Sequence, residues 1–186
     1  MIAKAKTLMT AVELESVPDD GFRYELIDGE LIQMAPADMD SSRIGGLFVT
    51  YLNVHVIPRR LGAVFPADAG VRFASGPDTV LSPDAAFVRG DRLPAKADRR
   101  GFWRVTPGLV VEVVSPSDRR TAVLAKVARY LDYGVDLVVV VWPPTRTLTL
   151  HRAGQEVEEL SEQDVFDAGD VVPGFRLPVI DLFLDL

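Results

Sequence analysis

The apolar run Leu109–Val114 constrains this chain more than any other feature of its sequence. All of its residues except Glu112 are apolar, and most are β-branched, which is typical of a strand buried within a sheet. A turn at Ser115–Asp118 leads into a predicted helix that reaches about Tyr133, and a second apolar run, Leu137–Trp142, follows. Strand, helix and strand predict a right-handed crossover between parallel strands. The sequence therefore predicts an α/β fold with a central mixed sheet flanked by helices.

Capping, turn and periodicity signals predict the remaining elements. Thr10 and Glu13 have the spacing of a capping box, and Asp28-Gly29 between two alternating runs is a strong hairpin signal. Apolar residues at helical spacing predict a long second helix, and Gly62 suits the position just past its end. The predicted bounds are Ala11–Val17 for the first helix, Phe22–Ile27 and Glu30–Met34 for the hairpin, Ser41 or Ser42 to about Arg60 for the second helix, Ala63–Phe65, Gly70–Phe73, Ala85–Val88 and Leu148–His151 for further strands, Arg89–Arg104 for a surface loop and Val179–Leu184 for an apolar tail that packs back on the body.

Length and composition limit the classes of protein to consider. A chain of 186 residues fits one domain, so we expect a single domain over residues 1–186. The absence of Cys excludes disulfides and thiolate metal sites. Neither a signal peptide nor an apolar run of about 20 residues is visible, so we expect a soluble, cytoplasmic protein. The net charge of −7 argues against a protein that coats nucleic acid passively, but not against a metal enzyme, whose carboxylates hold a cation.

Glu112 is the most informative polar residue, because it is the only charge in a buried strand. An unpaired carboxylate in an apolar interior costs several kcal/mol or becomes protonated. Glu112 could be a strand-end residue paired with an Arg. Our working hypothesis is instead a carboxylate that faces a metal ion or a catalytic partner.

Two further carboxylates are candidates. Asp84 follows Pro83 at the start of the strand Ala85–Val88, and alone it would read as a turn residue. It gains interest because Glu112 is expected on a neighbouring strand. Glu25 lies in the first arm of the hairpin, where a solvent-facing residue and a site residue are both open interpretations.

Lys126 lies on the flank of the apolar face of the predicted helix after Glu112. Its stem could cover apolar surface while its head reaches water, or its ammonium could face the carboxylates on the sheet. His55 and His151 have no partner pattern for a zinc site, and we interpret both as structural.

Together these residues resemble the PD-(D/E)XK nuclease superfamily, which has a Pro-Asp at a strand start, a Glu on the next buried strand and a nearby Lys. The sequence is more similar to the Uma-type branch, a group of bacterial restriction-endonuclease-like proteins, over nearly the whole chain. The motifs that carry this resemblance are RYELIDGEL (Arg23–Leu31), SPDAAFV (Ser82–Val88), LVVEVVSPSD (Leu109–Asp118) and KVARYLDYGV (Lys126–Val135).

The resemblance implies a restriction-endonuclease-like fold with an N-terminal hairpin and hydrolysis of phosphodiester bonds in nucleic acid, with DNA as the expected partner. Asp84, Glu112 and the backbone carbonyl of Val113 would offer the oxygen ligands that Mg²⁺ or Mn²⁺ prefers. Lys126 would orient the attacking water or stabilise developing negative charge. By the same resemblance, Glu25 would hold a second metal ion or its water.

The chain departs from the family pattern at two positions. The superfamily places its Lys two residues after the Glu, where this chain has Val114, and Lys126 resembles the position of the Lys in the Uma-type branch. The family usually has an Asp before the Pro that ends the strand after the helix, where this chain has Trp142.

Several alternatives remain open from the sequence. The chain could be a degenerate relative that binds nucleic acid without cleaving it, since a fold does not fix a function. A pair of carboxylates could also hydrolyse glycosides, but that reaction gives Lys126 no clear role.

Arg119 and Arg120, at the start of the Lys126 helix, are the expected phosphate contacts. A homodimer would suit double-strand cleavage.

Overall fold

The computed structural model describes residues 8–35 and 38–184. The described residues form three α-helices and twelve β-strands, joined by turns and short 3₁₀ segments. In chain order they are α1 (Ala11–Leu14), β1 (Arg23–Ile27), β2 (Glu30–Met34), α2 (Met39–Arg59), β3 (Gly62–Pro66), β4 (Val71–Ala74), β5 (Thr79–Leu81), β6 (Ala85–Arg89), β7 (Leu109–Val113), α3 (Arg120–Asp132), β8 (Leu137–Trp142), β9 (Thr147–His151), β10 (Glu158–Leu160), β11 (Val165–Asp167) and β12 (Arg176–Pro178).

A six-stranded mixed sheet forms the centre of the fold, in the order β10-β9-β8-β7-β6-β3. β7 and β8 are parallel, with Leu109 opposite Leu137 and Val113 opposite Val141, and α3 connects them. The other neighbouring pairs of this sheet are antiparallel. The structure thus confirms the predicted parallel pair and the predicted mixed sheet.

The two faces of the central sheet are covered by different elements. α2 packs on one face and contributes Phe48 and Leu52 to the larger core, where they meet Val111 of β7. α3 covers the other face, where Val127 packs with Val110 of β7. Because side chains alternate along a strand, Glu112 points to the same face as Val110, towards α3. The alternation therefore directs the one charge of β7 towards the helix that carries Lys126.

The hairpin belongs to a second, antiparallel sheet in the order β2-β1-β5-β4. Asp28 and Gly29 both have positive φ, at 53° and 78°, as a two-residue type I′ turn requires. This confirms the hairpin prediction. β5, a three-residue strand, was absent from the sequence prediction. It pairs with β1 through Val80 and Leu26, and so joins the hairpin to the rest of the chain.

The termini of the helices correct the sequence prediction. The N-cap of α2 is Asp38, whose carboxylate accepts hydrogen bonds from the backbone N–H groups of Asp40 and Ser41. Ser41 and Ser42 were therefore wrong as caps. At the other end, Arg60 adopts the left-handed conformation with φ of 53°, and Gly62 begins β3.

The flanking regions largely follow the prediction. The capping box of α1 is present, although this helix is shorter than predicted and ends at Leu14. The predicted loop Arg89–Arg104 contains two 3₁₀ turns, and in the tail Val179 and Leu182 are buried against the core. Within residues 8–35 and 38–184, every helix is too short or too polar to traverse a bilayer.

Candidate active site

Asp84 and Glu112 lie side by side at the ends of two neighbouring strands. The β6–β7 register pairs Ala85 with Val111, and one step further along it brings Asp84 opposite Glu112. The Asp84 carboxylate accepts a hydrogen bond of 2.8 Å from the backbone N–H of Val113. The predicted pairing of the two carboxylates on adjacent strands is therefore present.

The Lys126 ammonium lies between two carboxylates. Its Nζ is 2.9 Å from Oε1 of Glu25 and 3.0 Å from Oε1 of Glu112. The side chains of Lys126 and Glu112 are 13% exposed and that of Glu25 is 2% exposed, so solvent screens these ion pairs only weakly. Lys126 therefore does not reach out to bulk water, and the paired partner of Glu112 is a Lys instead of an Arg.

Glu25 is a buried residue of the cluster and does not face solvent. Besides Lys126, it accepts a hydrogen bond of 2.7 Å from the backbone N–H of Ser82, just before β6. β1 positions Glu25, because the next residue, Leu26, points to the opposite face of the strand. There Leu26 packs with Ala11, Leu14 and Val80 in a small separate core. Of the two interpretations open from the sequence, the structure selects the one in which Glu25 lies among the candidate residues.

Tyr130 is a member of this site that the sequence analysis did not single out. Its hydroxyl donates a hydrogen bond of 2.6 Å to Oε1 of Glu112, and its ring is fully buried. Such a short O–H···O contact is typical of a charged acceptor. The signal was available, because Tyr130 follows Lys126 by four residues and so lies on the same side of the helix.

A small pocket opens over the charged side chains, with a volume of about 60 Å³. This is room for a few water molecules, or an ion with some of its waters. Its lining residues come from the hairpin, β6, β7, the turn after β7 and α3: Arg23, Glu25, Met34, Ala35, Ser82, Asp84, Glu112, Val113, Ser115, Ser117, Asp118 and Lys126.

Arg23 is a second residue that the sequence analysis did not assign to the site. It lines the pocket and its positive charge opposes the rise in the pKa of Asp84. Arg23 precedes Glu25 by two residues on β1, so both side chains lie on one face of that strand. This spacing was the signal that could have identified it.

Burial dominates the electrostatics of the carboxylates. It raises the pKa of Asp84 against the hydrogen bond from Val113 and the charge of Lys126. It also raises the pKa of Glu112 to about 7; Lys126 opposes this rise, whereas Asp84 and Glu25 add to it. Burial would lower the pKa of Lys126, but Glu112 and Glu25 outweigh it and hold that pKa above its ordinary value. The Lys126 ammonium is therefore charged, whereas burial disfavours the charged forms of Asp84 and Glu112.

Asp84 and Glu112 have the donor chemistry of a magnesium-type site. Mg²⁺ is held in proteins by one or two carboxylates and keeps several of its waters. Across residues 8–35 and 38–184, no three acidic or histidine side chains converge as a ready set of metal ligands, and Glu25 is turned towards Lys126 and Ser82. Two carboxylates beside a pocket of water size fit one hydrated divalent ion.

The pocket continues into a groove on each side. One groove, about 410 Å³ in volume, shares Arg23 and Asp84 with the pocket and runs along Ser41, Ser42 and Gly46 of α2. The other, about 300 Å³, shares Glu112 and Lys126 and runs between the hairpin and α3. An extended molecule can therefore pass across the charged centre.

The other predicted residues lie apart from the pocket. Arg119 and Arg120 are not among its lining residues, and the Arg120 guanidinium stacks over the Trp142 ring at 4.6 Å. His151 hydrogen-bonds Thr149 at 2.9 Å, and His55 contacts the Pro173 carbonyl at 3.0 Å. Both histidines have local partners of the kind expected for structural residues.

The fold and sequence are similar to those of nuclease-related proteins. The sequence matches the Uma2 family, described as "Putative restriction endonuclease", over residues 11–180. A crystal structure described as "a putative nuclease belonging to DUF820" from Anabaena variabilis matches the fold with a TM-score of 0.81 and 23% identity, covering 94% of this chain and 97% of that one. At this identity the likeness establishes the fold. No curated protein matches the sequence.

Proposed function

The chain belongs to the Uma2 family of restriction-endonuclease-like proteins, and from this membership we propose that it is a divalent-metal-dependent endonuclease. The proposed substrate is nucleic acid, with DNA as the first candidate. The proposed cofactor is Mg²⁺ or Mn²⁺, held by Asp84 and Glu112 with help from the Val113 backbone. This proposal keeps Lys126 and Glu25 in the catalytic centre and adds Tyr130 as a residue that holds Glu112 in place.

One observation carries the proposal: a charged Lys is paired with two carboxylates, and a third carboxylate, that of Asp84, lines the same pocket. Phosphodiester hydrolysis requires positive charge next to the phosphoryl oxygens and a water made nucleophilic near neutral pH. When bound, a divalent ion supplies both of these effects. Lys126 can donate a hydrogen bond to a phosphoryl oxygen or to the attacking water. Glu25 and Glu112 keep its ammonium charged and in place.

The grooves on both sides of the pocket favour an endonuclease. Among the residues that the structure describes, two grooves share lining residues with the pocket and leave room for nucleic acid to extend beyond the cleaved bond in both directions. A strand can lie along α2 on one side and between the hairpin and α3 on the other. Arg23, which borders both the pocket and the α2 groove, is the proposed phosphate contact in place of the more distant Arg119 and Arg120.

The first test is titration calorimetry with Mg²⁺ and Mn²⁺, followed by a plasmid-nicking assay with the same ions. Wild type is expected to bind one ion and to nick, whereas Asp84→Ala is expected to lose both, because only one carboxylate ligand remains. The matched control is Asp132→Asn, an exposed carboxylate at the end of α3 and outside the pocket. It is expected to behave as wild type.

The outcomes separate the proposal from its alternatives. Metal binding that Asp84→Ala abolishes, without nicking of any nucleic acid, would indicate a degenerate relative that retains only the site. Nicking that survives in Asp84→Ala would show that the cleaving residues lie elsewhere. Absence of metal binding in wild type would reject the metal-dependent mechanism.

A further inference from the structure

The groove between the hairpin and α3 is apolar although it borders the charged centre. Its walls are mainly aliphatic, and Ile32 is 36% exposed there. Solvent-exposed aliphatic side chains beside the carboxylates of the pocket have no role in binding a metal ion. The apolar side chains come from the hairpin and from α3: Ile27, Ile32, Met34, Ala122, Val123 and Ala125.

The groove is continuous with the proposed site of hydrolysis. Glu25, Glu112 and Lys126 line both the groove and the pocket. A group inside the groove would therefore lie next to a phosphate at Lys126, about one nucleotide away. The groove volume of about 300 Å³ is at the lower end of the range for small-ligand pockets, so it suits one flat ring system better than a whole duplex.

We propose that this groove receives an unpaired nucleobase next to the cleaved phosphodiester, so that single-stranded or locally unpaired nucleic acid is preferred over continuous duplex. The inference rests on the proposed function. It deepens that function by naming the form of the substrate. In a duplex each base is stacked and paired inside the helix, and it cannot enter a side groove unless it is first extruded. In a single strand the base is free to leave its neighbours and to bury its apolar faces against aliphatic side chains.

The charge distribution supports a single strand over a duplex. Duplex binding depends on many Lys and Arg contacts to phosphates, and this chain has a net charge of −7. At the centre, the cations that line the pocket or the apolar groove are Arg23, Lys126 and Arg129, and Arg129 is paired with Asp28 at 2.9 Å. These few cations suit a short stretch of a single sugar–phosphate backbone. Burial of a base in the groove would add binding affinity beyond these phosphate contacts.

The test compares two single-stranded oligomers with the same sugar–phosphate backbone, oligo-dT and an abasic oligomer of equal length. Binding is measured by fluorescence anisotropy in EDTA, so that neither cleavage nor metal enters the measurement. Wild type is expected to prefer oligo-dT by about tenfold, as the burial of roughly 60 Å² of apolar base surface would give. It is also expected to bind oligo-dT more tightly than the corresponding dT·dA duplex at the same salt concentration.

Two variants of α3 form a matched pair. Ala122→Phe places a ring in the groove and is expected to bring the dT-to-abasic preference close to one. Ala128→Phe changes an equally exposed alanine on the same helix outside the groove, and it should keep the wild-type preference. Ala125→Phe, which fills the groove from another position, is expected to repeat the effect of Ala122→Phe.

Equal binding of the two oligomers by wild type, or equal preferences in Ala122→Phe and Ala128→Phe, would overturn the inference. Cleavage assays with Mg²⁺ on the same oligomers keep the two proposals apart. If both oligomers are cleaved equally, the nuclease function stands and the base groove fails. If oligo-dT is preferred but never cleaved, the base groove stands and the nuclease function fails.

Discussion

At the scale of single residues, the Lys126 ammonium contacts two buried carboxylates, Glu25 at 2.9 Å and Glu112 at 3.0 Å. Removal of one partner from a buried ion pair is costly because the other charge stays buried without compensation. Replacing Lys126 alone would leave two carboxylates, those of Glu25 and Glu112, without their compensating positive charge. Lys126 therefore contributes to the stability of the metal-free protein as well as to the proposed chemistry.

Lys126→Met should lower the free energy of unfolding of the metal-free protein by about 3 kcal/mol, measured by urea denaturation. The double variant Glu112→Gln/Lys126→Met should recover part of this loss, since one buried charge is removed with the ammonium. Arg129→Met is the control on the same helix. Its ion pair with Asp28 is largely exposed, so the change should cost less than about 1 kcal/mol. Equal effects of Lys126→Met and Arg129→Met would contradict the prediction.

His151 makes stability depend on pH, because burial lowers its pKa below the ordinary value of about 6.5. The unfolded chain therefore takes up a proton more readily than the folded chain. Stability from neutral His151 is present above about pH 6.5 and is lost as the pH falls below that value. The raised pKa values of Asp84 and Glu112 make the stability change with pH in the opposite direction. Their contribution is the same in wild type and in a His151 variant, so it cancels in the comparison.

His151→Gln isolates this contribution. Urea denaturation at pH 7.5 and 5.5 should show that wild type loses more stability on acidification than His151→Gln does. Thr149, the hydrogen-bond partner of His151, also accepts a hydrogen bond from the Trp142 indole. This second hydrogen bond is available in wild type and in His151→Gln. If both proteins lose the same amount, His151 does not titrate differently in the folded and unfolded states.

At the scale of elements, the pairing of β3 with β6 depends on the absence of a side chain at Gly62. A Cβ at this position would collide with the backbone oxygen of Val88 and would lie 2.9 Å from the Phe87 ring. Neither the backbone nor the buried ring can move away easily. β6 leads directly from Asp84, so a shift in this pairing would also disturb the site.

Gly62→Ala should therefore reduce the free energy of unfolding by about 1–3 kcal/mol, the usual range for overpacking. Gly46→Ala on α2 is the matched control, because no atom lies within 4 Å of the added Cβ. In a helix this change should stabilise the protein by about 0.5–1 kcal/mol. Thermal or urea denaturation of both variants would show the opposite signs, and a neutral Gly62→Ala would contradict the close pairing described here.

At the scale of the whole molecule, the described elements share their cores. The larger core combines α2 and the central sheet with Phe166 of β11 and Leu182 of the tail. The core under α3 includes Leu81 of β5, and Ile27 of the hairpin packs against it. The hairpin sheet is thus tied to the central sheet through the helix that carries Lys126.

This shared packing predicts a single cooperative unfolding transition, as expected for one domain. Trp142 lies in the central sheet, and Trp103 bridges to β4 of the hairpin sheet while its ring contacts Phe65 of β3, so tryptophan fluorescence reports on both sheets. Tryptophan fluorescence and far-UV circular dichroism should give the same urea midpoint. Two separate midpoints would show that the two sheets unfold independently, and the prediction of one domain over residues 1–186 would fail.

Elements whose signals are local could be predicted from the amino-acid sequence alone. The apolar run around Glu112, the Asp-Gly hairpin and the period of α3 each depend on residues close together in the chain, so pattern and turn chemistry were sufficient. The alternation of side chains along a strand also placed Glu112 on one face of the sheet. The site residues Asp84, Glu112 and Lys126 followed from these elements and from the family resemblance.

Contacts between residues that are distant in the chain depend on how the elements pack in three dimensions. Glu25 could face solvent or the site until the hairpin sheet was packed next to α3, because the contact with Lys126 joins residues far apart in the chain. Packing between elements also produces the hydrogen bond from Tyr130 to Glu112 and brings Arg23 near Asp84. The two grooves next to the pocket likewise form where separate elements meet. These features arise from the angle and distance at which elements pack, and no local pattern in the sequence encodes those quantities.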